Sequence, residues 1–234
     1  MMKIRNLAVI PARGGSKRIP RKNIKEFCGK PIIAYSIEAA INSNIFDEVI
    51  VSTDDVEIAN VAKNFGARVP FYRASETSND FAGITDVLLE VLEKYTEQKV
   101  YFDNICLIYA TAPFVNAEKV VEAYKILTNN EYNAVLPVIK YSYPIQRALR
   151  INGNDLKMIN DSYIKSRSQD LEPSYHDSGQ FFWIKSEIIQ SQKKVFVDKL
   201  GAVIINEKDA QDIDTIEDWE IAEFKYRYFL KRNK

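Results

Sequence analysis

Short apolar runs alternate with amphipathic stretches along most of the chain. Four of the runs have the length and continuous hydrophobicity of buried strands. They lie at Asn6–Ile10, Glu48–Ser52, Asn104–Tyr109 and Ala134–Val138. The stretches between them repeat apolar residues at helical spacing. They lie at Ile32–Asn42, Val56–Phe65, Ile84–Tyr95 and Glu118–Asn129. This alternation predicts right-handed βαβ units and a three-layer α/β/α fold around a mainly parallel sheet.

The pattern changes in residues 140–175, which we call the flap. This segment is rich in Tyr, Asn, Ser and charged residues and shows only weak strand signals, at Ala148–Ile151 and Lys157–Ile159. A long segment without a helix of its own is uncommon in a compact core and usually serves binding or association. We therefore interpret the flap as an insertion, with a role in dimerisation, within a single domain that spans residues 1–234.

The regular pattern resumes after the flap. It predicts strands at Gln180–Ile184 and Ala202–Asn206 and a closing helix at Thr215–Lys231. Thr215 and Asp218 have the spacing of a capping box, which marks the start of that helix.

Composition and charge narrow the class of protein. The length of 234 residues suits one hydrophobic core. Lys plus Arg and Asp plus Glu both number 32, so any anion site must be local, and we expect neither a nucleic-acid nor a membrane partner. The apolar run at the N-terminus is too short for a signal sequence or a spanning helix, so we expect a cytoplasmic protein. Cys28 and Cys106 lack metal or redox spacing, and we expect both to be structural thiols.

The loop after the first predicted strand, Pro11–Asn23, concentrates the candidate chemistry. It contains the glycine pair Gly14-Gly15, and six cations lie in it or just beyond it: Arg13, Lys17, Arg18, Arg21, Lys22 and Lys25. Glycines let the backbone approach a ligand and aim successive N–H groups at one anion. The spacing matches neither the Walker motif nor the dinucleotide fingerprint. The loop therefore predicts a triphosphate site of another type, and the alternative is a solvated basic turn.

The loop reads PARGGSKRIPRKN, and GKPIIAYSIEAA and VSTDD follow it. Together these stretches resemble the opening of the CMP-sugar-acid synthetases, a family that includes the CMP-sialic acid synthetases. The resemblance implies a Rossmann-like nucleotidyltransferase sheet and a loop that wraps the triphosphate of CTP. The positions it assigns to nucleotide binding in the loop are Arg13, Gly14, Gly15, Ser16, Lys17, Lys22 and Asn23. It further implies that Arg13 and Lys22 hold the phosphates during catalysis and that Asn23 contacts the cytosine or the ribose.

Arg73 and Glu76, which lie outside the loop, also match positions of the CMP-sugar-acid synthetases. Residues 71–87 resemble the family's Arg-x-x-Glu segment near the base, which implies a nucleotide contact from Arg73, together with Glu76. The alternative for these two residues is a surface ion pair. Asp55, at the end of a predicted strand, either belongs to the site or caps the next helix.

Asp212 and Asp214 are the candidate metal ligands. Two carboxylates at positions i and i+2 of an extended segment point to one side, which suits a shared divalent cation such as Mg²⁺. The pair resembles the Asp-x-Asp of the same family, which implies that both residues are catalytic and hold Mg²⁺ against the α-phosphate of CTP. The alternative role for Asp214 is to cap the closing helix.

The sugar acceptor is indicated by residues 167–183, RSQDLEPSYHDSGQFFW. This run resembles the pseudaminic acid branch of the family, which implies transfer of CMP from CTP to a nine-carbon 2-keto sugar acid, with release of pyrophosphate. Arg167 suits the sugar carboxylate, and Gln169, His176 and Gln180 suit its hydroxyl or acetamido groups. His176 is equally compatible with a structural hydrogen bond. Tyr109 stands where sialic acid enzymes usually have glutamine, so that contact does not transfer.

Several alternatives remain open at this level. The acceptor could instead be a sialic or legionaminic acid. A nucleic-acid-binding module conflicts with the balanced charge, and a catalytically silent sugar-binding protein would keep the same scaffold. The family is commonly dimeric, which implies a homodimer in which the flap of one subunit reaches the other's site.

Overall fold

The computed structural model describes residues 4–129 and 131–232. The strands are β1 (Asn6–Pro11), β2 (Glu26–Phe27), β3 (Lys30–Pro31), β4 (Glu48–Ser52), β5 (Asn104–Ile108), β6 (Ala134–Lys140), β7 (Leu149–Asn152), β8 (Asp155–Met158), β9 (Tyr175–Asp177), β10 (Phe181–Lys185) and β11 (Leu200–Ile205). The α-helices are α1 (Ile32–Asn42), α2 (Val56–Asn64), α3 (Ser75–Ser78), α4 (Ile84–Glu97), α5 (Ala117–Asn129), α6 (Ser186–Gln192) and α7 (Ile216–Arg232). Met1, Met2 and Lys3, which begin the segment judged too short for a signal sequence, lie outside the described residues.

One large sheet organises the chain. Its strand order is β11-β6-β10-β5-β1-β4, and β9 pairs with β6 beside this path. The pairs β1–β4, β1–β5 and β6–β11 are parallel, whereas β10 is antiparallel to both of its neighbours and β9 is antiparallel to β6. The mainly parallel sheet expected from the sequence is therefore confirmed, with β10 as an antiparallel strand in its interior.

The two faces of the sheet bury different sets of side chains. Ala8 and Ile10 of β1 join one core cluster, which includes residues of α1, α2 and α5. Leu7 and Val9 of the same strand join the cluster on the other face, which includes residues of α4 and α6. A strand covered by helices on both faces needs apolar residues at every position, which explains the unbroken hydrophobic runs. The three-layer α/β/α arrangement follows from this packing.

A third apolar cluster lies near the loop Pro11–Asn23, which we call the phosphate loop. It contains Ile19 from that loop, Phe27 from β2 and Trp219 from α7, all of them buried. Ile213 is also fully buried in it, between the two candidate metal ligands. Burial of Ile19 and Ile213 in one cluster holds the loop and the Asp-x-Asp segment next to each other.

The predicted helices and strands agree with the structure to within about three residues, and the predicted capping box is present. The backbone N–H of Asp218 donates to Oγ1 of Thr215 at 3.2 Å, and the N–H of Thr215 donates to Asp218 at 2.8 Å. Because Thr215 caps α7, Asp214 is free of that role. All residues of the flap are described, and they form the β7–β8 hairpin and short 3-10 turns without an α-helix. None of the described helices is long and apolar enough to cross a membrane.

Candidate active site

A cavity of about 430 Å³ opens at the carboxyl end of β1 and β5. Parallel sheets of this kind gather ligands at that edge. Three segments line it: the phosphate loop, residues 80–87 before and within α4, and residues 109–111 after β5. The polar lining residues include Arg13, Ser16, Lys17, Arg18, Lys22, Asn23, Arg73, Asp80, Tyr109 and Thr111.

The six cations in and just beyond the loop do not all face this cavity. Arg13, Lys17, Arg18 and Lys22 line it. Arg21 instead pairs with Asp55 and Glu57, and the Nζ of Lys25 lies 4.6 Å from the ring centroid of Trp219. Four of the six cations therefore line the cavity, and the side chains of Arg21 and Lys25 are engaged by neighbours that are distant in the sequence.

Two of the four cations share one carboxylate. Nη1 of Arg13 lies 2.8 Å from Oδ1 of Asp80, and Nζ of Lys17 donates to Oδ2 of the same residue. Hydrogen bonds from Lys17 and Arg13 hold the pKa of Asp80 below its usual value. The Asp80 carboxylate therefore engages the two side chains to which the sequence assigns phosphate binding.

The candidate metal ligands lie opposite the other two cations. Oδ1 of Asp214 is 2.8 Å from Arg18 and 3.7 Å from Nζ of Lys22, which also donates to the carbonyl of Ile213 at 2.6 Å. Partial burial and the charge of Asp214 raise the pKa of Asp212. Burial lowers the pKa of Lys22, while Asp214 and Asp212 act in the opposite direction. Two carboxylates that repel each other here fit a divalent cation, which would offset both the repulsion and the desolvation.

The remaining nucleotide candidates in the loop have mixed surroundings. The side-chain amide of Asn23 donates to the carbonyl of Arg13 at 2.9 Å, so it supports the loop from within. A Cβ added at Gly14 would lie 2.7 Å from Oδ2 of Asp55, so the close approach there requires glycine. A Cβ at Gly15 would meet nothing within 4 Å, which leaves its backbone open to a ligand.

The Arg73 side chain is buried beside the end of β4. It donates to the carbonyl of Ser52 at 2.6 Å, and burial lowers its pKa. Glu76 is exposed and accepts from the hydroxyl of Ser75 at 3.0 Å. The structure therefore places Arg73 at the cavity wall and Glu76 on the surface. The two residues do not form the surface ion pair that was the alternative interpretation. Asp55 does cap α2, accepting from the N–H of Ile58 at 3.0 Å.

The four sugar-binding candidates, all of them described, are not among the residues that line the cavity. Arg167 and Gln169 are exposed on the flap, where Nε of Arg167 donates to Asp170 at 2.7 Å. His176 is exposed on β9, with its ring 4.7 Å from that of Tyr141. Gln180 is buried, and its amide donates to the carbonyl of Asp209 at 2.8 Å. Within the described chain these four residues do not line the 430 Å³ cavity.

A smaller and more apolar cavity, of about 190 Å³, adjoins the first one. The two share Tyr109 and Ile84, and Asp177, Phe182 and Phe196 are among the residues that line the smaller one. Burial and the charges of Asp177 and Asp212 raise the pKa of Tyr109 to about 12, so its hydroxyl is protonated at neutral pH. The structure thus joins a cationic cavity to an apolar one across a neutral tyrosine.

A family model described as cytidylyltransferase matches residues 7–218. The chain belongs to the cytidylyltransferase family. A pseudaminic acid cytidylyltransferase of Campylobacter jejuni is 43% identical over 225 residues, which cover 96% of this chain and 97% of that protein. A CMP-N,N'-diacetyllegionaminic acid synthase of Legionella pneumophila is 34% identical over 230 residues, which cover 94% and 95%.

A solved structure has the same fold. It is a CMP:2-keto-3-deoxy-manno-octonic acid synthetase complexed with CTP, with a TM-score of 0.70 and 20% identity, and the match covers 96% of this chain and 99% of that one. The likeness supports the nucleotidyltransferase sheet expected from the sequence.

Sequence reasoning missed several residues of this cytidylyltransferase site. Asp80 lies within residues 71–87, where the resemblance assigned roles only to Arg73 and Glu76, and Asp177 stood unassigned beside His176. Arg18 was noticed only as one of the loop cations. No local signal pointed to the contact between Arg18 and Asp214, because the two residues are 196 positions apart.

Proposed function

We propose that this protein is a pseudaminic acid cytidylyltransferase, which transfers CMP from CTP to the anomeric hydroxyl of the sugar acid and releases pyrophosphate. The observation that carries the proposal is a cavity lined by four cations of a glycine-containing loop, two of which, Arg18 and Lys22, lie beside Asp214 of the aspartate pair. The identity of 43% with the Campylobacter jejuni relative supports pseudaminic acid as the acceptor. A legionaminic acid is the second candidate, on the weaker identity of 34%.

In this proposal the loop binds the triphosphate. Arg13 and Lys17 would exchange the Asp80 carboxylate for phosphate oxygens, while Lys22, held between Asp214 and the carbonyl of Ile213, would reach the phosphate at the site of transfer. The open backbone at Gly15 would supply N–H donors to the same anion. Donors preorganised around developing negative charge are the main source of rate enhancement in such reactions.

Mg²⁺ is the cofactor that the aspartate pair suits. Asp212 and Asp214 would hold it, since hard divalent cations prefer carboxylate oxygens. When bound, Mg²⁺ supplies positive charge that stabilises the α-phosphate and the leaving pyrophosphate. Arg18, which lies 2.8 Å from Asp214, orients that carboxylate.

The acceptor would lie across Tyr109, between the two cavities. The apolar cavity suits a methyl or acetamido substituent, and Asp177 beside it can accept hydrogen bonds from sugar hydroxyl or amide groups. The hydroxyl of Tyr109, whose pKa burial raises to about 12, can donate as well as accept at neutral pH.

We also infer a homodimer in which the flap of a second copy covers this site. The flap exposes large apolar side chains to an unusual degree, including Tyr143 at 84%, Ile151 at 72% and Ile164 at 62%. Clustered exposed apolar residues favour a partner surface. Arg167, Gln169 and His176, which are exposed and do not line their own cavity, would then act on the sugar bound by the partner. We further infer a cytoplasmic location, where the substrate CTP is present.

The test is pyrophosphate release from CTP and Mg²⁺ with a panel of pseudaminic, legionaminic, sialic and 3-deoxy-octulosonic acids. We expect turnover with pseudaminic acid, and a loss on the order of a hundredfold or more for Asp212→Asn and for Asp214→Asn. Asp209→Asn is the matched control, because Asp209 lies three positions before Asp212 and its carboxylate accepts from the side-chain amide of Asn206 at 3.3 Å.

Preference for another acid would overturn the substrate assignment. Full activity of both aspartate variants would overturn the metal assignment. Absence of turnover with every acid would favour the catalytically silent sugar-binding protein.

A further inference from the structure

Two adjacent aspartates that the proposed chemistry does not use hold the phosphate loop at both of its ends. Asp54 and Asp55 follow β4. Oδ1 of Asp54 accepts from the backbone N–H of Gly14 at 2.8 Å, near the start of the loop. At the other end, Nη2 of Arg21 donates to Oδ1 of Asp55 at 2.9 Å and Nη1 donates to Oδ2. The phosphate loop is thus bonded at two places to the short segment that follows β4.

Asp55 is itself rigidly held. It caps α2 through the N–H of Ile58, and the hydrogen bond from Arg21 is the main cause that lowers its pKa to about 2. Its side chain also packs directly against Gly14, where an added Cβ would lie 2.7 Å from Oδ2. A bidentate guanidinium–carboxylate pair fixes direction as well as distance. Asp55 therefore fixes the position of Gly14 by contact and of Arg21 by charge.

Arg21 has a backbone conformation that needs such support. Its φ of 55° and ψ of 29° lie in the left-handed region, which is unfavourable for a residue with a side chain. From there its carbonyl accepts the N–H groups of Ile24 and Lys25, both at 3.0 Å, and starts the 3-10 turn that carries Lys22 and Asn23. Strained backbone of this kind persists only where the surroundings over-determine it.

The conformation of Arg21 decides where the following side chains point. Lys22 leaves the turn toward Asp214 and the carbonyl of Ile213. Asn23 turns back to the carbonyl of Arg13, so the two halves of the loop are linked. Arg21 is therefore the residue at which the loop changes direction from its structural contacts to the cavity.

We propose that Arg21 and Asp55 are positioning residues for nucleotide binding: their ion pair, with Gly14 packed against it, sets the loop in the conformation that presents Arg13, Lys17 and Lys22 to the triphosphate. This inference rests on the proposed function for the identity of the nucleotide. It assigns to one of the loop's cations a role that does not involve touching phosphate. Glu57, which also accepts from Arg21, extends the pair on its exposed side.

The experiment compares Arg21→Gln, Asp55→Asn and the double variant with the native protein. Asparagine at position 55 keeps the ability to cap α2, so the helix is preserved while the charge is lost. Arg68→Gln is the matched control: it breaks a comparable pair, with Glu48 at 2.7 Å, at the opposite end of β4. Dissociation constants are measured by calorimetry for CTP with Mg²⁺ and for inorganic tripolyphosphate, and KM is measured for CTP and for the sugar acid.

We expect each single variant to bind both anions roughly tenfold to a hundredfold more weakly, as misplaced binding groups commonly do. The double variant should be no weaker than the weaker single one, because both changes remove the same interaction. The KM for the sugar acid should stay within about twofold of native, and Arg68→Gln should leave every constant unchanged.

The proposal fails if the folded single variants bind tripolyphosphate and CTP as the native protein does, even where their melting temperatures fall. It also fails if the two single effects simply add. Because the tripolyphosphate comparison needs no turnover, it decides the positioning role even for a protein that releases no pyrophosphate. Failure of the proposed function and failure of the positioning role are therefore distinguishable.

Discussion

Single residues in the cavity compete for the same charges. Asp80 accepts from Arg13 and Lys17, and Asp214 pairs with Arg18. A triphosphate that enters the cavity must displace the Asp80 carboxylate from Arg13 and Lys17. The same N–H donors of these two side chains cannot bind the carboxylate and a phosphate at once. Exposed ion pairs are weak individually, so this exchange favours the more highly charged ligand.

Asp80→Asn is expected to tighten CTP binding. The substitution keeps the size of the side chain and removes the charge that occupies Arg13 and Lys17, so KM for CTP should fall by about twofold to fivefold. The difference should shrink at high ionic strength, where exposed charges are screened. Steady-state kinetics at two salt concentrations measure both effects. A higher KM at low salt would mean that Asp80 contributes to nucleotide binding instead.

At the scale of elements, the order of helices and strands followed from local patterns. Periodicity identified the six strands of the main path and the long helices, because each buries an apolar face of regular spacing. The structure adds the β2–β3 hairpin, β9, α3 and α6, none of which was predicted. These elements are short, of two to seven residues, and their sequences are too brief to show a period.

The antiparallel strand β10 depends on one aromatic side chain. Trp183 is fully buried, its ring stacks on Phe46 at 5.0 Å, and its indole N–H donates to the carbonyl of Val120 at 3.0 Å. It therefore connects the sheet to α5 and to the segment before β4. Few neighbours could fill the space that its removal would leave.

Trp183→Ala is expected to lower the free energy of unfolding by about 3–5 kcal/mol, because it removes a large buried ring and its hydrogen bond to the carbonyl of Val120. Urea denaturation followed by circular dichroism measures the change. Phe81→Ala is the control, since Phe81 is 96% exposed and its truncation should cost little. Equal losses in the two variants would contradict the packing role assigned to Trp183.

At the scale of the whole molecule, the flap buries few of its apolar side chains against the rest of the chain. Both strands of the β7–β8 hairpin are exposed along most of their length, with Leu149 at 54% and Leu156 at 59% in addition to Ile151. A two-stranded hairpin is marginally stable when isolated. A second copy that covers it would supply the missing apolar contacts.

Ile151→Glu is expected to shift the protein from dimer to monomer, because a carboxylate would be buried without a partner in the proposed interface. Sedimentation velocity at several concentrations measures the change, and KM for the sugar acid should rise as the partner's flap is lost. Tyr101→Ser is the control: Tyr101 is 63% exposed and lies before β5, at the edge of the sheet opposite the cavity. A native protein that sediments as a monomer would contradict the homodimer.

The sequence by itself determined the α/β class and the order of the main elements, because hydrophobic periodicity is a local property of the chain. It also predicted the phosphate loop and the Asp212–Asp214 pair, because the types and spacing of neighbouring residues indicate both. Only the tertiary structure decided which loop cations face the cavity. Arg21 and Asp55 are 34 positions apart, Lys17 and Asp80 are 63, and Arg18 and Asp214 are 196. No local pattern specifies contacts over such separations; they depend on how the packed sheet and its helices bring the loop ends together.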